Sequence, residues 1–207
     1  MSLLLDPVPA QSQAPLERDE SARLPGGGGM NPSAEPARSC AAANIGLAAG
    51  PVPGPPSPIE AGTGEAPWPV ADLRAFLLGS WTLDRVILDR SRAMTGALEG
   101  EARFSPCAGG LLYEEHGILT LGEHRGRAER SYLYLFPEGG GRASVRFRDG
   151  RPFHELDLSC GEDRVSHPCR LDLYEGLFTV LGPAWWQSEW KASGPRKDYV
   201  LLTTYSR

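Results

Sequence analysis

About nine strand-like runs follow one another through the last two-thirds of this chain, and nothing between them is long enough to be a crossover helix. They fall near 81–89, 97–105, 111–121, 127–136, 143–148, 153–159, 167–180, 185–193 and 199–206, separated by glycine, proline or charged turns. Parallel neighbours require a crossover of a dozen or more residues, so the sheet is expected to be mostly antiparallel. That many strands in about 135 residues leave two exposed edges unless the sheet closes, and a barrel removes them. One short helix precedes the strands: Leu73, Phe76 and Leu77 recur at helical spacing, and Gly79 can end the turn.

The first 70 residues have a different character. They hold 13 of the 19 prolines and 9 of the 25 glycines, too little apolar surface to offset the entropy of ordering, and are expected to form a disordered leader. Three arginines against seven acidic residues do not suit an organelle-targeting peptide, and Met1-Ser2-Leu3-Leu4-Leu5-Asp6-Pro7 lacks the basic start and long apolar core of a secretory signal. Initiation at Met30, or an over-extended gene model, would also account for such a leader. Residues 71–207 form the folded domain in this reading. With 41% hydrophobic and 23% charged residues and no long apolar run, no membrane span is expected. A net charge of −5 and a pI near 5.4 provide no overall basic field for nucleic acid. Cys40, Cys107, Cys160 and Cys169 form no C-x-x-C pair and suit reduced thiols, which places the chain in the cytoplasm.

Strand alternation selects the candidate site. Polar groups that share a face with apolar ones are costly to bury unless paired, so they mark either a network or a binding site. Trp81, Leu83, Arg85 and Ile87 share one face, as do Leu111, Tyr113, Glu115, Leu119 and Leu121; Arg85 can therefore pair with Glu115 inside the barrel. In the fourth run Arg130, Tyr132, Tyr134 and Phe136 oppose Ser131, Leu133 and Leu135, and a ligand barrel would hold the tyrosine face inward. His154 lies with Leu156 and Leu158, and its imidazole makes it the candidate acid or base. His167 and Cys169 share a face with Leu171 and Leu173 and oppose Asp172 and Tyr174; only one set can point inward. Trp186, Ser188 and Trp190 form a pocket wall or floor.

Each of these has a plainer alternative. His154 can be a hydrogen-bonded core histidine, Arg85–Glu115 a structural ion pair, Trp186 and Trp190 simple core, and Arg196-Lys197 a solvated turn rather than an anchor for an anionic head group. A metal at His154, His167 and Cys169 would lack the further ligands that zinc needs, so neither metal nor cofactor is expected. Gly139-Gly140-Gly141 reads as a hairpin turn, without the lysine and following helix of a phosphate loop, and no G-x-S-x-G elbow occurs.

Several motifs together carry a family resemblance. Gly79-Ser80-Trp81 after a short helix is similar to the G-x-W opening of lipocalin-type (calycin) barrels. To it are added Leu112-Tyr113-Glu114-Glu115-x-Gly117, Val145-Arg146-Phe147-x-Asp149-Gly150-Arg151-Pro152-Phe153-His154, His167-x-Cys169, Asp172-x-Tyr174 and Trp190-x-x-x-Gly194-Pro195-Arg196-Lys197-Asp198-Tyr199. In this set, from about Leu73 to Arg207, the chain resembles the uncharacterised family called domain of unknown function 6314. The resemblance implies a calycin-like fold and supplies no catalytic residues.

The expectation is an all-β, antiparallel lipocalin-like β-barrel of about eight or nine strands with a short N-terminal helix. Its cavity would bind a small amphipathic or aromatic molecule through Arg85, Glu115, Arg130, Tyr132, His154, His167, Trp186 and Trp190. One alternative is a cofactor-independent isomerase, cyclase or hydrolase with His154 as acid or base and an arginine stabilising an anion. The other is a structural or protein-interaction barrel, which a side-chain-filled interior would favour.

Overall fold

The computed structural model describes residues 66–137 and 141–207; the expected leader, apart from its last five residues, and most of the Gly139–Gly141 turn lie outside them. Helix α1 (Leu73–Leu77) is a single turn started by Asp72, whose carboxylate accepts from Ala75 N at 2.9 Å. Ten strands follow among the described residues: β1 (Gly79–Asp89), β2 (Met94–Cys107), β3 (Gly110–Leu121), β4 (His124–Leu135), β5 (Arg142–Arg146), β6 (Pro152–Asp157), β7 (Glu162–Cys169), β8 (Asp172–Gly182), β9 (Trp185–Gly194) and β10 (Lys197–Ser206). They form one antiparallel sheet in the order β6-β5-β4-β3-β2-β1-β10-β9-β8-β7, a nearly closed barrel as the turn spacing anticipates.

The tenth strand comes from splitting the run at 167–180. Its first part joins 162–166 as β7, and β8 starts at Asp172 after a tight turn through Arg170 and Leu171. Arg170 adopts φ 58, a left-handed conformation that glycine or asparagine usually signals, so nothing in Cys169-Arg170-Leu171-Asp172 announces the reversal. The split also settles which face is inward. Tyr174, Phe178 and Val180 are buried, while Leu171 is 81% exposed and Leu173 also faces out.

Between β6 and β7, the two ends of the strand order, side chains stand in for a ladder. His167 Nδ1 lies 2.9 Å from the Phe153 carbonyl, and Asp157 N donates to Asp163 Oδ2 at 2.8 Å. The segment before α1 ties down one end of this seam: Trp68 N donates to the Val180 carbonyl and Val70 N to that of Leu158. The same end of the barrel is plugged. Leu73 and Leu77 are buried, Trp81 Nε1 donates to the Leu77 carbonyl at 2.9 Å, and the Arg207 guanidinium lies 4.1 Å over the Trp81 ring while donating to the Leu78 and Phe76 carbonyls. A fully buried tryptophan thus has its one polar atom satisfied and a cation on its face.

The far end is formed by the turns β1–β2, β3–β4, β5–β6, β7–β8 and β9–β10. There the wall is uneven, because β4 pairs with β5 only over Leu133–Leu135, leaving 124–132 without a ladder on that side. Among the thiols, Cys107 and Cys169 are free, but Cys160 is disulfide-bonded, which corrects the expectation of reduced thiols throughout. No helix among the described residues is long and apolar enough to cross a membrane.

Candidate functional site

The inward faces of β1, β3 and β10 bring together a closed polar cluster. Arg85 donates through Nη1 and Nη2 to the two oxygens of Glu115 at 2.7 and 2.8 Å, and through Nε to Thr203 Oγ1 at 2.8 Å. Tyr113, two residues before Glu115 on the same face of β3, donates its hydroxyl to Oε2 at 2.5 Å and sits 3.2 Å from the Tyr205 hydroxyl. Burial alone would raise the carboxyl pKa of Glu115, but the neighbouring Arg130 and Arg85 charges outweigh it and hold the group at about 2. Burial, with the Glu115 charge beside it, pushes Tyr113 well above the usual phenol range. The carboxylate is therefore ionised and the phenol neutral at any physiological pH.

Arg130 on β4 meets the same carboxylate differently. Its Nε stands 3.5 Å from Glu115 Oε1, an ion pair without a hydrogen bond, and the buried Nε and Nη2 donate to nothing. The side chain is 5% exposed. Burial would lower its pKa, but Glu115 more than compensates, so the guanidinium keeps its charge. Two buried cations therefore share one anion. Other acidic groups are occupied elsewhere: Asp89 accepts from Ser91 Oγ and Arg92 N at the β1–β2 turn, and Asp172 lies 2.8 Å from Lys197 Nζ. Lys197 also reaches the Tyr174 hydroxyl, so the turn at Arg196-Lys197 is tied internally by its lysine.

His154, at the start of β6, sits among rings, with centroids of Phe153, Trp190 and Phe178 at 4.7, 5.3 and 5.5 Å. Its Nδ1 lies 3.0 Å from the Glu155 carbonyl, which fixes the tautomer with Nδ1 as the N–H donor and Nε2 as an acceptor. Burial pulls its pKa down to about 4, so the ring is neutral at pH 7. Trp190 stacks on Phe153 at 5.2 Å, and Trp186 on Tyr205 at 3.7 Å with the planes 4° apart. Trp190 has room because its β8 partner is Gly176, where a Cβ would come within 3.0 Å of the indole.

These residues surround a free volume of about 30 Å³. Arg85, Glu115, Arg130, Tyr132, His154, Trp186 and Trp190 all line it. His167 does not: it faces inward from β7 but is held at the seam by its bond to Phe153, with Phe147 and Tyr174 against its ring. Phe153, Phe178, Leu201 and Tyr205 are lining residues that the sequence reading does not pick out, and with Tyr134 and Ser188, which it does place on inward faces, they complete much of the wall. Ser188 shares parity with Trp186 and Trp190, and Tyr205 with Leu201, so alternation carries the signal for both. No group of three His, Cys, Asp or Glu side chains suited to a metal occurs among the described residues.

A second concavity, about 500 Å³, lies outside β3 and β4 under the β5–β6 turn, lined by Glu114, His116, Glu129, Ser131, Phe147, Arg148 and Asp149. Arg130 and Tyr132 line both spaces, at the part of β4 that β5 leaves uncovered.

The sequence profile of the family of unknown function (DUF6314) matches residues 77–207. No curated protein matches the chain. Among solved structures, the S-type phycobiliprotein lyase CPES from Guillardia theta is similar at 10% identity and TM-score 0.45, covering 64% of this chain and 89% of that one. A DUF3598-family protein of unknown function from Nostoc punctiforme is similar at 16% identity and TM-score 0.49, with 71% of this chain covering 53% of that one. A de novo designed fluorescence-activating β-barrel shares 14% identity at TM-score 0.34, over 66% and 97% of the two chains.

Proposed function

The chain belongs to the family of unknown function DUF6314, and from that premise we propose that its barrel binds a small amphipathic or aromatic molecule, with the polar end in the interior cavity. The observation that carries this reading is Arg130: a charged guanidinium, buried, with two donors unmet, beside aromatic walls. An unsatisfied buried donor costs about 1–3 kcal/mol, and a barrel serving only as a scaffold has no reason to retain two of them. The filled interior is what a structural barrel would have, and about 30 Å³ admits a head group rather than a whole ligand. The body of the molecule would then lie in the groove of about 500 Å³ that shares Arg130 and Tyr132.

Catalysis by His154 has one point in its favour, since the imidazole and a cation converge on one cavity. Its pKa of about 4 makes it a weak base at neutral pH, far from the match that general base catalysis favours. It serves better as a hydrogen-bond acceptor for a ligand.

Native mass spectrometry of the full chain purified from its own cells tests the reading. A retained small molecule, released on denaturation and lost in a folded His154→Ala variant, is the expected result. A folded protein that carries no such mass, and whose tryptophan fluorescence responds to no amphiphile, would overturn it.

A further inference from the structure

The charges inside the barrel do not balance, and the imbalance specifies a ligand class. Arg85 and Glu115 cancel within a bidentate pair that already uses both carboxylate oxygens, one of them twice. Tyr113 and Tyr134 stay protonated, and His154 is neutral. Arg130 is left as a surplus positive charge, its Nε and Nη2 without hydrogen bonds, at the wall between the cavity and the outer groove. Buried charges are normally paired, and a guanidinium with two free donors matches a planar, two-oxygen acceptor. Trp186 Nε1, also buried and without a partner, is a further donor in the same lining.

We propose that the ligand's head group is a carboxylate, received by Arg130 inside the barrel and balancing its charge. This rests on the ligand-binding reading above and deepens it. Size separates a carboxylate from larger anions. The free space beside Arg130 is small, about 30 Å³, and Nε and Nη2 present two donors along one edge, which a compact planar carboxylate meets with both oxygens while a bulkier tetrahedral phosphate adds oxygens that find no donor there. The neutral Nε2 of His154 repels an anion less than a second carboxylate would and accepts from a hydroxyl placed beside the head group.

The test uses the full chain and matched probes. Thermal unfolding is followed with sodium acetate and with acetamide, which is close to it in size and uncharged, at constant sodium chloride. Trp186 and Trp190 report titrations with decanoate, decanol and phenylacetate by fluorescence. Acetate is expected to raise the midpoint more than acetamide, and decanoate or phenylacetate to bind about tenfold or more tightly than decanol, the tighter acid showing whether the body is a chain or a ring. Arg130→Met is expected to weaken the acid about tenfold or more and to leave decanol unchanged; if that variant does not fold, Arg130→Lys, which keeps the charge but not the fork, takes its place with an intermediate loss.

Decanol binding as tightly as decanoate, or folded Arg130→Met binding decanoate unchanged, would overturn the carboxylate and leave a ligand-binding barrel standing. Chloride alone stabilising as much as acetate would also overturn it. Failure of every probe, together with no retained mass in native spectrometry, would remove both readings.

Discussion

Arg85 and Arg130 point into the same interior, each beside Glu115, yet one is closed and the other open. Arg85 has all three of its guanidinium nitrogens engaged by Glu115 and Thr203, at 2.7–2.8 Å. Arg130 reaches the same carboxylate only at 3.5 Å and leaves two nitrogens unmet. Strand parity makes the two look alike. What separates them is supply: one carboxylate cannot satisfy two guanidinium groups, and the tyrosine beside it takes a further lone pair. A buried polar residue thus points to a ligand through its unmet valence, whereas burial alone fits a structural pair equally well.

Removing the shared anion attacks both arginines at once and has the largest expected effect. Glu115→Gln leaves two buried cations without a counter-charge, and breaking one member of a buried pair costs about 3–5 kcal/mol. Chemical denaturation would measure it. A loss below about 1 kcal/mol would show that the two guanidinium groups are not held by this carboxylate, and the contrast between them would collapse.

His154 sharpens the open side by pH. Its folded pKa of about 4 lies below the unfolded value near 6.5, so between those values the unfolded chain binds a proton that the folded one refuses. Stability therefore falls as pH drops from about 6.5 to 4, by about 3 kcal/mol over the window if the ring stays buried. Glu115, with its pKa depressed to about 2, contributes stability that is present above its unfolded value near 4.3 and is lost only as pH falls below that, toward 2. His154→Phe should flatten the upper window and leave the lower one, in denaturation curves taken at successive pH values. An unchanged slope between 6.5 and 4 would mean that the imidazole is solvated, as at an open mouth.

Much of this is legible in the sequence, because an antiparallel barrel writes its inner face at every second residue. Arg85 with Leu83 and Ile87, Glu115 with Tyr113 and Leu119, and Arg130 with Tyr132 all obey that rule, and the structure buries each of them. The rule failed where the backbone hides a turn. Arg170 at φ 58 reverses the chain without a turn residue, so alternation alone runs β7 and β8 together and counts His167 among the cavity residues, whereas the structure holds it at the seam. Alternation also says which residues face inward but nothing of how much space they leave. The small volume comes from paired aromatic rings such as Trp186 on Tyr205 and from Trp190 filling the gap over Gly176, cross-strand contacts whose closeness depends on register and ring orientation rather than on alternation. The imbalance at Arg130 is a count of hydrogen bonds, which no spacing encodes.

The smallest effect is also the one whose sign matters most. In the ligand-free protein Arg130→Met removes two unmet buried donors and a surplus charge, replaces them with a flexible apolar side chain of similar length, and leaves Glu115 with Arg85 and Tyr113. Replacing buried charge with well-packed apolar groups is often neutral or stabilising, and losing Arg130's attraction to Glu115 offsets part of the gain. The net expectation is a rise of about 1 kcal/mol, read as a higher denaturation midpoint. Arg85→Met should move the other way by about 3 kcal/mol, since it removes both guanidinium hydrogen bonds to Glu115 and leaves the carboxylate with Tyr113 and the more distant Arg130. Opposite signs at two arginines facing one carboxylate mark one as part of the fold and the other as kept for something the fold does not contain. Equal losses at both would mean that Arg130, too, is simply structural.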